Sequence, residues 1–197
     1  MTSTESALDL GPQAAAVARL ARSVTDDMLD APTPCEEMRV GALLVHLLGL
    51  SAAFAAAARK DFGPLTDTPP DTGSDALPGD WRIALPRALD ALAAAWRDPA
   101  ATTGTTRAGG VEMPADVMGA VAADELVVHG WDLAVATGQG YEPDPAALAV
   151  AHGLLGSAAE GGGSLFGPPV PVPASAPLLD RALGLSGRDP RWSPPAP

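Results

Sequence analysis

Positive charge is scarce in this chain. Twelve Lys and Arg stand against 24 Asp and Glu in 197 residues, a formal net charge of -12 at pH 7. That balance excludes nucleic acid and anionic membrane surfaces as partners. Cysteine is scarcer still: Cys35 stands alone, so no internal disulfide forms, and a reducing, cytoplasmic setting is expected. No apolar run of about 18 residues escapes a charge or a helix breaker, so no membrane span is expected. The start, Met1 to Ser6, lacks the basic stretch and apolar core of a signal peptide. Aromatic residues make up 4%; Trp81, Trp96 and Trp131 read as core and rim residues of an acidic protein, not as a stacking platform. No Gly-rich phosphate loop, Ser–His–Asp series or Cys-x2-Cys zinc pattern is present.

What is present is apolar and helical. Hydrophobic residues make up 47% and charged residues 18%, the balance of a globular chain long enough to bury a proper core. Helical periodicity predicts a first helix from Pro12 to Leu29, with Val17, Leu20, Val24 and Met28 in phase. Thr33 and Glu36 have capping-box spacing with Pro34 between them, which predicts a second helix from there to about Lys60. Its stripe is Leu43, Leu47, Leu50 and Phe54. Residues 61–79 read as a long Pro/Asp/Gly/Thr loop of the kind that carries function. A third helix runs from Trp81 to Trp96. A Thr/Gly-rich connection with a short extended piece follows, from Pro99 to Gly110. The fourth helix runs from Pro114 to Thr137, with a glycine stop at Gly138. The fifth starts at Asp144-Pro145, an N-cap followed by a first-position proline. Residues 167–173 carry too many prolines for a helix or a central strand; Leu178 to Leu185 reads as one short helix. The expected fold is all-α: an antiparallel four-helix bundle with an extra helix over residues 1–160, and a Gly/Pro-rich segment, 161–197, packed on it or trailing from it.

The chemistry centres on Glu125 and His129. At i, i+4 they share one helix face, and a carboxylate with an imidazole supplies two thirds of a facial metal site. Alone the pair is weak, since such pairs are common as surface salt links. His46 strengthens it, because a histidine set among leucines in the second helix needs a partner. If the second and fourth helices are neighbours, the three side chains can meet at one ion. Two His and one Glu leave coordination positions open, which is a catalytic arrangement. Zinc suits the set, and so do nickel, iron and manganese. Asp132, at i+3 from His129, faces the same way and is placed to hold a ligand ring without touching the ion. His152 lacks such a context and reads as a surface or packing residue. Cys35 reads as a packing residue at the start of the second helix, with a reactive thiol there as the alternative.

At these residues the sequence resembles a known family. Thr33-Pro34-Cys35 with Leu44-Val45-His46-Leu47-Leu48-Gly49 is similar to the first signature of the actinobacterial DinB-like metal-binding proteins. Asp124 to Ala134, with Thr137-Gly138, is similar to their second. The family includes the N-terminal domain of mycothiol-dependent maleylpyruvate isomerase. Phe166 to Pro173 and Arg181 to Pro190 resemble the tails of its uncharacterised members, so the resemblance covers nearly the whole chain. It implies a DinB-like bundle holding a divalent metal, zinc in the isomerase, on His46, Glu125 and His129. It also implies a small thiol such as mycothiol as cosubstrate, in a transferase or isomerase acting on a small electrophile. A non-catalytic metal-binding or small-molecule-binding module is the alternative, and a homodimer is compatible with both. Two departures stand out. Met38 occupies a position where the family usually has tryptophan. The isomerase also draws an arginine from a C-terminal domain to which the short tail here has no equivalent.

Overall fold

The computed structural model describes residues 8–36, 38–69, 76–161 and 167–195. It is mostly helical. Seven helices and one small hairpin follow in chain order among these residues: α1 (Gly11–Arg22), α2 (Val40–Arg59), α3 (Pro64–Asp67), α4 (Trp81–Trp96), β1 (Thr105–Ala108), β2 (Val111–Pro114), α5 (Ala115–Ala136), α6 (Pro145–Glu160) and α7 (Leu178–Leu185).

Four of them make the DinB-like bundle. α1 and α2 each pack against both α4 and α5, so α1 and α2 face each other across a diagonal. The helical stripes read from the sequence explain the arrangement. Leu43, Leu47 and Leu50 of α2, Leu85, Leu89 and Leu92 of α4, and Leu126 and Leu133 of α5 are all buried in one core. Each such leucine contributes about 1.5–3 kcal/mol by leaving water. α6 then covers α5, and α7 covers α6. A second apolar cluster of Val127, Leu148, Ala151, Leu155 and Ala182 fills the space among these three. Covered from several sides, α5 is apolar nearly all round, as a fully enclosed helix must be.

Local signals hold at some boundaries and fail at others. Asp144 Oδ2 accepts the Ala147 N–H at 2.9 Å, the N-cap expected there. Gly138 takes a positive φ of 67° after α5, the glycine stop. The first helix stops at Arg22, earlier than its periodicity suggests; Val24 still joins the core, while Asp26–Met28 form a separate 3-10 turn. The second helix starts at Val40, not at Pro34. The Thr33 hydroxyl donates to the Met38 carbonyl at 2.7 Å and accepts the Cys35 N–H at 3.1 Å, closing a turn instead of capping a helix. Cys35 therefore sits half-buried in that turn, several residues before α2, and packs on the core edge. The short extended piece is a β-hairpin of four-residue strands. Gly109 and Gly110 form its turn with φ of 60° and 76°, the pair of positive values that a tight two-residue hairpin turn demands.

α2 has the length and mean hydropathy (2.0) of a membrane span, the single such helix among the described residues. Yet 61% of it is buried inside the bundle, which makes it a core helix.

Candidate metal centre

His46, Glu125 and His129 meet between α2 and α5. One ligand atom from each lies within 4.8 Å of the other two. Glu125 Oε2 is 3.1 Å from His129 Nε2 and 3.5 Å from His46 Nε2. The two rings stand edge to face, 4.8 Å between centroids. Both histidines are buried, while Glu125 keeps 27% of its side-chain exposure.

Helix phase explains the meeting. The leucine stripe that seats α2 in the core turns His46 toward α5, and the i, i+4 step on α5 presents Glu125 and His129 to it. Asp132 continues that face. Fully buried, its Oδ2 lies 2.9 Å from His129 Nδ1.

Behind Asp132 stands a residue that the sequence reading did not single out. Arg188, from the segment after α7, grips Asp132 with two hydrogen bonds: Nε to Oδ1 at 3.1 Å and Nη2 to Oδ2 at 3.0 Å. No local motif marks it, since its partner lies 56 residues away. The C-terminal segment is thereby fastened to the site. Val170 N–H donates to the Gly184 carbonyl at 2.8 Å, and a Cβ at Gly184 would meet Val172 at 2.5 Å, so only glycine lets the segment lie this close.

The electrostatics follow from burial and pairing. Burial disfavours the charged form of Glu125, but the His129 and His46 rings outweigh it and hold the carboxyl well below the usual range. For His129, too, burial opposes the charge. Asp132 and then Glu125 prevail and push it up to about 10. Asp132 is lowered despite its burial by His129 and Arg188. The neighbouring Asp124 differs. Buried, with no hydrogen bond to Oδ1, it is raised to about 8 by burial and by the Glu125 charge. It is mostly protonated at neutral pH and adds little negative charge.

Glu125 Oε2 tests whether this donor set fits a cation. It is buried and feels both rings, yet neither ring nitrogen is aligned to hydrogen-bond it. Ligand atoms about 2.1 Å from one tetrahedral zinc lie roughly 3.4 Å apart; the two contacts of Glu125 Oε2, 3.1 and 3.5 Å, are near that spacing, and all three ligand atoms lie within 4.8 Å of one another. Two imidazoles and a carboxylate at this spacing are residues that could hold a divalent ion.

A cavity of about 450 Å³ opens beside His46 and Glu125, between α2, α3, the hairpin and α5. The 61–79 loop supplies part of its wall through Pro64, Leu65, Thr68 and Pro69. His152 is half-exposed on α6, outside the cluster. Trp81, Trp96 and Trp131 are all buried.

Comparison with known proteins bears on the family and the fold. The family model of the mycothiol maleylpyruvate isomerase N-terminal domain matches residues 10–134. The chain belongs to that family. Its stretch of family sequence spans the bundle and includes all three clustered residues. Two uncharacterized proteins of Mycobacterium tuberculosis, from strains CDC 1551 / Oshkosh and H37Rv, are each 30% identical to this family member over 179 residues, covering 88% of it and 92% of themselves. Among solved structures, the mycothiol-dependent maleylpyruvate isomerase shares its fold, with a TM-score of 0.54 and 18% identity. That likeness covers 73% of this family member and 65% of the isomerase chain, so the match spans about two thirds of the longer protein.

Proposed function

We propose that this family member is a metal-dependent transferase or isomerase that acts on a small electrophile with a low-molecular-weight thiol as cosubstrate. Mycothiol is the first thiol to test. The reading rests on one observation: a buried carboxylate oxygen without a hydrogen bond, beside two imidazoles, at the wall of an open cavity. His46, Glu125 and His129 would hold the ion, with zinc the first candidate. A divalent ion there supplies a Lewis acid that lowers the pKa of a thiol toward neutrality.

The chain's own residues do the rest. Asp132 holds the proton side of His129 Nδ1, so that Nε2, once it gives up its own proton, would turn its lone pair to an ion held with Glu125. Arg188 keeps Asp132 ionised and fixed through its two-pronged grip. The apolar cavity wall excludes water from the side where an electrophile would arrive.

Elemental analysis of the purified protein, followed by a thiol-consumption assay with and without the metal found, tests the reading. Metal-dependent loss of mycothiol with the electrophile, as for a transferase, or conversion of the electrophile that needs mycothiol without consuming it, as for an isomerase, supports it. Stoichiometric metal with neither thiol consumed nor electrophile converted across a broad panel makes the protein a binding module instead.

A further inference from the structure

The cavity beside the metal cluster is built for one chemical class. We infer that it takes an uncharged, apolar small molecule and rejects carboxylates. Its volume of about 450 Å³ lies within the usual range for small-molecule sites. The wall is almost wholly hydrocarbon and thioether: Leu50 and Phe54 from α2, Leu65 from α3, Val111 and Met113 from the hairpin and its turn, and Met118 from α5. Of its side chains only His46, Thr68 and Glu125 are polar.

The absence of cations decides the matter. All 12 Lys and Arg of the chain fall within the described residues, and none lines the cavity. The rim does have an arginine close by in sequence, Arg107, but it is engaged. Its Nη1 lies 2.7 Å from Asp67 Oδ1, and its guanidinium sits over the Phe62 ring at 5.1 Å. Arg188 is committed to Asp132, behind His129, and His129 does not line the cavity. A carboxylate pressed against leucine, phenylalanine and methionine with no partner loses its hydration at a cost of several kcal/mol.

Exposure points the same way. Leu65 and Val111 line the cavity yet remain 56% and 48% exposed. Neither is held outward by core packing, and an apolar ligand would cover them. The two methionines supply a wall that adapts to ligand shape.

The inference deepens the thiol-transfer reading by naming its electrophile class, and it rests on that reading for what becomes of the ligand, but binding itself needs no metal. The test is therefore made on the full chain in the presence of a chelator, at pH 7.5. 1-Naphthalenemethanol and 1-naphthoate share one ring system and differ in charge. Titration calorimetry should show the alcohol binding at least tenfold more tightly than the carboxylate. Val121→Lys, which sets a cation in the wall, should raise naphthoate affinity at least tenfold. Val111→Asp, at an exposed position where folding is safe, should weaken the alcohol at least tenfold. Equal affinities, a preference for naphthoate, or no binding of the alcohol below 1 mM (roughly -4 kcal/mol) would overturn the inference. A protein that prefers the alcohol but neither consumes thiol nor converts an electrophile when loaded with metal keeps this inference and loses the proposed reaction.

Discussion

Helix α5 takes part in two buried polar clusters, and they differ in what they leave unpaired. In the first, Gln13 of α1 donates from Nε2 to the Leu126 carbonyl and to the Tyr141 hydroxyl, both at 2.8 Å. Its Oε1 accepts the Asp144 N–H at 2.9 Å, and the Tyr141 hydroxyl donates to the Val127 carbonyl at 2.7 Å. A Cβ on Gly130 would meet Tyr141 Oη at 2.7 Å, so a glycine keeps the approach open. In the second cluster, less than one turn away, Glu125 Oε2 is buried with no hydrogen bond. The first is a clasp: every side-chain polar atom is answered, and it ties α1, α5 and the start of α6 together. The second is pre-charged and incomplete. Buried polar groups are normally satisfied; what sets the second cluster apart is that its unanswered oxygen faces two imidazole nitrogens beside a cavity.

The sharpest way to break this comparison is to remove one arm from each cluster. His129→Ala should abolish stoichiometric metal binding, read by elemental analysis, while the metal-free variant still melts cooperatively, because the core lies among the leucines and not at the ion. A wild-type melting temperature that collapses on chelation would make the second cluster a clasp as well. Gln13→Ala should do the reverse. It strands α5 carbonyl contacts and the Tyr141 hydroxyl, at about 1–3 kcal/mol. That is a fall in Tm of roughly 2–12 °C, with metal stoichiometry unchanged.

Smaller changes sharpen the picture. Asp132→Asn should weaken metal affinity about 10–100-fold without emptying the site, measured by competition with a chromophoric chelator. Complete loss would make Asp132 a ligand. The pH dependence follows from His129. In the metal-free protein its pKa is pushed up to about 10, so below that pH a cation must displace its proton. Affinity should rise with pH, about tenfold per unit for one proton released, and flatten above about 10. A flat profile between pH 6 and 9 would show that His129 is already neutral, with Nε2 unprotonated, when it is free of metal.

How much of this was legible in the sequence depends on range. Signals that act within a turn or two of helix read well: the Glu125, His129 and Asp132 phase, the Asp144 cap and the Gly138 stop. So did the leucine stripe that turns His46 inward. The start of α2 misled, because Thr33 and Glu36 have capping-box spacing while the Thr33 hydroxyl is drawn to the Met38 carbonyl in a closed turn. Contacts between distant segments left no trace. Gln13 and Tyr141 are 128 residues apart, and nothing around Arg188 announces a buried carboxylate waiting for it. The cavity was equally hidden, because its wall is assembled from α2, α5, the short α3 with the residues after it, and a hairpin whose strands have four residues each.

The apolar character of α2 has a consequence for biosynthesis. This helix leaves the ribosome as a greasy segment with the hydropathy of a membrane span. Its most extensive packing partner, α4, begins at Trp81, but Glu125 emerges only after about 80 further residues beyond His46, roughly 4–16 s at typical elongation rates. For that interval α2 can be shielded by α4 while His46 still waits for its acidic counterpart. The order of emergence thus lets α2 find its cover in α4 before the cluster of His46, Glu125 and His129 can close.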